Sequence, residues 1–455
     1  MCPGCYEKQL RIDELQDEVA HLKHKLRYEE RKTKDGYFGS STPSSKKPFK
    51  DTADNGNPKN NGGAVYGHKG YGRKKITQPD ADEIQKLTLK PRCPYCEGKL
   101  INKSFIKRPV IDSLLLRTKK ILYLCQKMYC PHCKKTVSAK PPVLPRALYG
   151  NQLIAQALYL HYGQLIPLGR VTEILGNAVT TANLHDIFAR LSRMFQPVVD
   201  RLIKEYRKEP VKHADETGWR SDGSNGYAWL FCSKNTSIFR FEDNRSHKVR
   251  QAVLGSRRLP GVLVTDRYGV YNKSPCCLQY CYAHLLRLVE DTGEQFADSD
   301  EVQRFVASLA PLLAQAMHLR GQDMDDPAYY RRAKILRAKI RHIINAGACH
   351  DGIKAIQAIF KENAHRLYHW VNNRAVPADN NRAERELRPT VIARKVSFGS
   401  QSKQGAFTRS ILMTIIHTVK KRLPANTTQE WLKKSLDAIA ENSAVDLYSI
   451  LPLKH

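Results

Sequence analysis

The stretch from residue 209 to 285 narrows the fold more than any other part of the chain. It holds the apolar and aromatic runs YAWLFCS (227–233), TSIFRFE (236–242), GVLVTD (261–266) and CLQYCYAH (277–284). Each is of strand length and reads as a strand. NRSHKVRQAVLG (244–255) lies between the second and third runs and reads as a helix, and VKHADETGW (211–219) precedes the first as a strand ending in Asp215. The expected order is strand, strand, strand, helix, strand, then helix or strand. That is a mixed α/β unit.

Two of these strands end in acids. GVLVTDRYGVYN (261–272) runs through Val262, Leu263 and Val264 into Asp266, then turns through Arg267-Tyr268-Gly269. An Asp before a Gly-containing loop is a common turn residue. It is also a metal ligand held by a rigid strand, and Asp215 admits the same two readings. A third acid is expected from a helix over DNNRAERELRP (379–389), with Asp379, Asn380 or Asn381 as its cap and Pro389 as its stop. Glu384 and Glu386 lie about 200° apart around such a helix, so only one faces a sheet. Glu384 shares its face with Arg388, Asn380 and Asn381; the plainer alternative is a surface salt-bridge helix. Three converging carboxylates repel one another unless divalent cations bridge them. Mg²⁺ takes oxygen ligands and keeps positions open for phosphate oxygens. Two such ions activate an attacking oxygen and stabilise a leaving one.

The charge balance says what such a site would act on. Lys and Arg number 75 against 44 Asp and Glu, a formal charge of +31. That favours a polyanionic partner, with nucleic acid as the first candidate. Membrane surfaces attract basic chains too, but no apolar run approaches bilayer length and no signal peptide opens the chain, so a cytoplasmic location is expected. With 455 residues, 41% of them hydrophobic, two to four domains with real cores are expected.

The flanks carry further signals. In residues 1–30, Ile12, Leu15, Val19, Leu22 and Leu26 form a short heptad seam, suited to self-association or to packing on the same chain. Residues 31–80 read as a flexible basic linker. Within it, GGAVYGHKGYGRKK interleaves tyrosines with His68, Lys69, Arg73, Lys74 and Lys75. These are candidates for pairing with phosphates and stacking on bases, or else a solvated charged segment. Residues 81–145 contain Cys93-Pro-Tyr-Cys96 and Cys130-Pro-His-Cys133. Four thiolates in two knuckles suit one structural Zn²⁺ in a ribbon, with every position filled and none left for substrate. Cys125 is a spare thiol expected to pack on a strand. Cys2 and Cys5, completed by His21 and His24, make a weaker second zinc candidate. Residues 146–208 are helical, with GRVTEILG (169–176) and TTANLHDIFARLSRMF (180–195) in helix-turn-helix form. Residues 300–378 return to helical periodicity, 379–400 carry the acidic segment, and 401–455 hold further helices.

Taken in order, the GG-x(3)-GHKG stretch, the C-P-x-C pairs, HADETGWR, DRYGVYN, CYAHLLR and NNRAERELRP resemble bacterial insertion-sequence-66 family transposases. The resemblance covers most of the chain, and its last four motifs are specific. It implies a ribonuclease-H-like catalytic domain (209–299 and 379–400) interrupted by a helical insertion (300–378). It implies an Asp-Asp-Glu triad of Asp215, Asp266 and Glu384 holding Mg²⁺ or Mn²⁺. It implies supporting roles for Cys281 and His284, with Arg385 and Arg388 either pairing with DNA phosphates or bracing the helix. His284 would contact a scissile phosphate or hydrogen-bond a triad carboxylate, with a satisfied core histidine as the plainer alternative, and for Trp219 core packing is favoured over stacking on a flipped base. The implied activity is strand cleavage at element ends and strand transfer into double-stranded target DNA. A homodimer or higher multimer, accessory transposition proteins and a nucleoid-associated location go with it. Two alternatives stand beside it: a catalytically inactive zinc-ribbon regulator, and a metal-dependent nuclease that cuts without joining.

Overall fold

In the computed structural model of the chain, residues 147–424 and 426–454 are described throughout, with shorter pieces between residues 118 and 145. Strands β1 (Lys127–Cys130) and β2 (Lys135–Ser138) pair antiparallel, with Cys130 opposite Lys135. Cys93, Cys96, Cys125 and Cys133, the segment expected to form an N-terminal helix, Cys2, Cys5, His21 and His24, and the basic stretch from His68 to Lys75 lie outside the described residues.

The expected mixed sheet is present. Its strands are β3 (Val211–Ser221), β4 (Ser224–Cys232), β5 (Ser237–Glu242), β6 (Val262–Thr265) and β7 (Cys277–Tyr280), in the spatial order β5-β4-β3-β6-β7. The first three form an antiparallel meander; β6 and β7 run parallel to β3. Asp222 and Gly223 both take positive φ (51° and 73°), the two-residue turn whose twist suits a tight hairpin between β3 and β4. A parallel return needs a crossover, supplied by the helix His247–Leu254. Gly261 then feeds β6 in beside β3 at φ +75°; a Cβ there would fall 2.1 Å from the Pro210 carbonyl oxygen, so only glycine fits.

Two cores lie on the two faces of the sheet. Ala214, Trp229, Phe231, Leu263, Leu278 and Tyr280 pack against the helices following β7: Tyr282–Gln295, Asp300–Leu319, Asp326–Asn345 and Asp351–Glu362. The last three occupy the segment where helical periodicity was expected; the first begins inside CLQYCYAH, whose strand ends at Tyr280. The opposite face carries Trp219, Ala228, Leu230, Phe239 and Phe241, and packs against Asn151–Leu158, Thr181–Lys208, Asn381–Ser397, Lys403–Arg422 and Thr428–Glu441. Trp219 is 2% exposed and packs edge-on against Phe241, as core packing predicts. The helix-turn-helix form is also present: Leu168–Ile174, a turn at Gly176 and Asn177 (φ 65° and 54°), then Thr181–Lys208. The second helix has 28 residues and buries Leu184, Ile187, Phe188 and Leu191 in the core.

One free sheet edge is closed in a way no strand pattern announces. Ser410, Thr414 and Thr418 recur every fourth residue along Lys403–Arg422 and face β5. Their hydroxyls accept the backbone N–H groups of Phe241 (2.9 Å), Phe239 (2.9 Å) and Ser237 (3.1 Å). Thr418 donates back to the Ser237 carbonyl, and Ser410 and Thr414 donate to carbonyls of their own helix. The donors of an edge strand are thereby paired without a further strand.

Two local expectations are corrected. β3 does not end at Asp215: it continues to Ser221 because β4 pairs with it along its length, Asp215 lying opposite Leu230. Pro389 does not stop its helix, which runs from Asn381 to Ser397 with Pro389 inside. Proline removes one helical hydrogen bond, a loss the tertiary anchors described below outweigh.

Candidate active site

Register brings the two aspartates together. Val211 pairs with Val262 and His213 with Val264; two residues further along each strand, Asp215 comes level with Asp266. Val262 pairs with Cys277 and Val264 with Gln279, so the same row continues to Cys281, whose N–H bonds the Thr265 carbonyl at 2.8 Å. Alternation puts all three side chains on the face that carries Leu230, because Asp215 pairs with Leu230. Asp266 fulfils its turn reading as well: its Oδ1 accepts the Tyr268 N–H at 3.0 Å, which fixes the carboxylate at the strand mouth.

Glu384 approaches this row from the first turn of the helix Asn381–Ser397, which is anchored to β3 at both ends and between. At its start, Asn380 is 0% exposed and turns its side chain into the sheet instead of capping the helix. Its Nδ2 donates to the Ala214 carbonyl (2.9 Å), its Oδ1 accepts from His213 Nδ1 (3.0 Å), and its backbone N–H donates to Cys281 Sγ (3.1 Å). Asp379 does the local turn bonding, its Oδ1 accepting the Asn381 N–H at 2.9 Å. Further on, Arg394 donates to the Gly218 carbonyl at 2.7 Å. At the end, Ser400 accepts from Asp222 N–H and donates its own N–H to the Arg220 carbonyl, both at 2.9 Å. Gly399 (φ +123°) permits that closure, since a Cβ there would meet the Arg220 carbonyl oxygen at 2.1 Å. The two glutamates separate as the helical angle requires. Glu384 faces the row, while Glu386 points to β5 and the next helix, accepting from Ser237 Oγ and pairing with Lys421 at 2.7 Å.

Crowding of acids governs the electrostatics. Burial holds the Asp215 carboxyl well above the usual carboxylate range, and the charges of Glu216, Asp266 and Glu384 push it further. Glu216, on the opposite face of β3, is also raised, by burial first and then by Asp266; hydrogen bonds from Tyr271 and Arg245 oppose the shift. Arg245 bonds Glu216 through Nε at 3.0 Å and stacks on the Tyr268 ring at 3.7 Å, and the Tyr271 hydroxyl donates to Glu216 at 2.5 Å. The two tyrosines of DRYGVYN thus tie the Asp266 loop to the floor beneath the aspartates. His213 is held neutral, lowered to about 3 chiefly by burial, which suits it to donate to Asn380.

Beside the row, Cys281 and His284 bracket the start of the helix Tyr282–Gln295, one turn apart. His284 Nδ1 lies 3.8 Å from Glu384 Oε1, with side chains 38% and 21% exposed. His284 is therefore not a satisfied core histidine: its Nδ1 and Glu384 Oε1 are both buried atoms without a hydrogen-bond partner among the described residues. Cys281 is fully buried, and its thiol is pushed up to about 12 by burial and then by Glu384. Arg385 and Arg388 are exposed on the same helix as Glu384.

Sequence reasoning did not single out Glu216, Arg245, Tyr268 or Tyr271, and weighed Asn380 as a cap and as a neighbour on the Glu384 face, not as a bond to the sheet. The one available signal was the pair of adjacent acids Asp215-Glu216 on a strand, which must face opposite sides and so need separate partners.

A family profile described as Transposase IS66 family matches residues 146–408, which span the sheet, the intervening helices and Glu384. An uncharacterized protein, y4jD, of Sinorhizobium fredii (strain NBRC 101917 / NGR234) is 24% identical over 407 residues, 79% of this chain and 77% of that protein. Among the described residues no helix is long and apolar enough to cross a membrane.

Proposed function

Because the chain belongs to the IS66 family of transposases, we propose that it cuts DNA at the ends of an insertion sequence and joins the freed ends to target DNA, using Asp215, Asp266 and Glu384. Membership carries transposase function and DNA binding in general; the triad and its metal dependence are our reading. The observation that carries it is the row: the β3–β6 register brings Asp215 level with Asp266, one residue past the end of β6, and the charge of Glu384 helps to raise Asp215.

The donor set fits a hard cation. All three side chains offer oxygen, and a doubly charged ion would relieve the repulsion that raises Asp215. Asp215, Asp266 and Glu384 would hold Mg²⁺ or Mn²⁺. When bound, such ions supply charge neutralisation at the phosphate and activation of the attacking oxygen. The protein's own task is positioning. Asp266 is locked by its turn, Glu384 by the anchored helix, and Asp215 by the middle of a paired strand. The exposed Arg385 and Arg388 are suited to steady DNA phosphates beside the acids. Substrate recruitment falls to the basic linker with His68, Lys69, Arg73, Lys74 and Lys75, to a Zn²⁺ ribbon of Cys93, Cys96, Cys130 and Cys133, and to a dimer or larger multimer on double-stranded DNA.

Asp215→Asn, Asp266→Asn and Glu384→Gln are each expected to keep binding of element-end DNA while losing cleavage and joining by about 10²–10³ or more. Pre-cut ends with a free 3′-hydroxyl, incubated with a plasmid target and Mg²⁺, separate the outcomes. Joined product in the wild type supports a transposase, and hydrolysis alone indicates a nuclease. Undiminished joining by Asp266→Asn would overturn the assignment.

A further inference from the structure

Among the described residues, one further cluster has ligand chemistry: Cys281 Sγ, His284 and Glu384 offer sulfur, nitrogen and oxygen atoms within 4.8 Å of one another. We propose that these three side chains form a binding site for a thiolate- and imidazole-preferring divalent ion of the Zn²⁺ class, distinct in donor chemistry from the aspartate pair. Ligand atoms around tetrahedral zinc lie about 3.3–3.8 Å apart, given Zn–N near 2.1 Å and Zn–S near 2.3 Å. The 3.8 Å between His284 Nδ1 and Glu384 Oε1 is a few tenths of an ångström wider than a nitrogen–oxygen pair on one zinc, and all three ligand atoms lie within 4.8 Å, so small side-chain rotations would close the set.

A second observation points the same way. Those two atoms are buried yet lack a hydrogen-bond partner among the described residues, although they face each other. Buried polar atoms are nearly always satisfied, and an ion between them satisfies both. The third ligand is placed by the fold: Cys281 ends the β7 strand line, begins a helix and accepts the Asn380 N–H at 3.1 Å. His284 follows one helical turn later, so the pair needs no loop movement to converge. Soft thiolate and imidazole donors select zinc-class ions over Mg²⁺. Binding replaces the thiol proton by the metal and releases that proton to solvent. Three protein ligands leave the fourth position for water or another donor. The ion would hold Glu384 toward His284, making the carboxylate common to this site and to the proposed reaction centre.

The test uses the full chain, stripped of metal and titrated with Co²⁺ as a spectroscopic substitute, with bound metal counted by mass spectrometry. The cysteine knuckles contribute their own cobalt–thiolate absorption, so the readout is the difference between wild type and variants. His284→Ala and Cys281→Ser should each lower the count by one ion per chain, with loss of one thiolate-to-cobalt component, or weaken that site at least tenfold. His284 is part-exposed, so its variant is readable even where Cys281→Ser misfolds. Asp266→Asn should leave the signal in place, which separates this site from the carboxylate reading. An unchanged count and spectrum in His284→Ala, or loss of the same ion in Asp266→Asn, would overturn the proposal.

Discussion

Replacing Asn380 by Ala tests what holds Glu384 in place. The side chain is wholly buried and makes two hydrogen bonds, to the Ala214 carbonyl at 2.9 Å and from His213 Nδ1 at 3.0 Å. Truncation strands both partners in the interior. Each buried group left unpaired costs about 1–3 kcal/mol, so the variant should lose roughly 2–6 kcal/mol. With a urea slope of about 3 kcal/mol per molar, a loss near the middle of that range moves the unfolding midpoint by roughly 1 M. Asn381→Ala, one residue on and part-exposed, is the control. Its side chain makes none of these bonds to the sheet, so its midpoint should scarcely move. The functional readout should follow the structural one: because Asn380 is the joint between β3 and the helix bearing Glu384, DNA cleavage should fall more than DNA binding. A midpoint for Asn380→Ala equal to that of Asn381→Ala would refute the claim that this clamp positions the third acid.

Other outcomes follow from the same geometry. Asp215 has a folded value raised above its unfolded one, so the native protein binds more protons than the unfolded chain. The contribution is therefore full below the ordinary carboxylate range and is lost as pH rises through the raised value. Metal-free wild type should lose stability across that window while Asp215→Asn shows a flatter profile, measured as melting temperature against pH. Thr414→Val leaves the buried Phe239 N–H without its acceptor and should cost about 1–3 kcal/mol in thermal or urea unfolding; no loss would mean that the hydroxyl ladder does not carry the β5 edge. Arg245→Ala removes an ion-pair partner of Glu216, whose side chain is 2% exposed, and should destabilise the Asp266 loop. Adding Glu216→Gln should recover part of that loss, and strictly additive effects in the double mutant would count against the network.

Much of the architecture was legible along the chain because it rests on local periodicity. Short apolar runs announced the strands, Asp222-Gly223 suits the hairpin that formed, and the helical spacing of residues 300–372 announced the insertion. The candidate acids were legible too, since an acid closing an apolar run or flanking a capped helix is a local oddity. Convergence was not legible. Whether Asp215 lies level with Asp266 depends on the register of β3 against β6, and register is chosen by packing between segments far apart in sequence. Asn380 looked like a cap because asparagine at a helix start ordinarily bonds its own backbone; it bonds β3 instead because the sheet offers a buried carbonyl and a neutral His213 that nothing else satisfies. Pro389 looked like a stop because its ring and missing N–H oppose helix locally, yet contacts with β3 on either side keep the helix going. That His284 would meet a triad carboxylate was expected from its motif; that the carboxylate is Glu384, on a helix start about a hundred residues away, was decided by the packing. Local chemistry determined which side chains were available; only the tertiary packing, which must satisfy buried polar groups across distant segments, decided which of them meet.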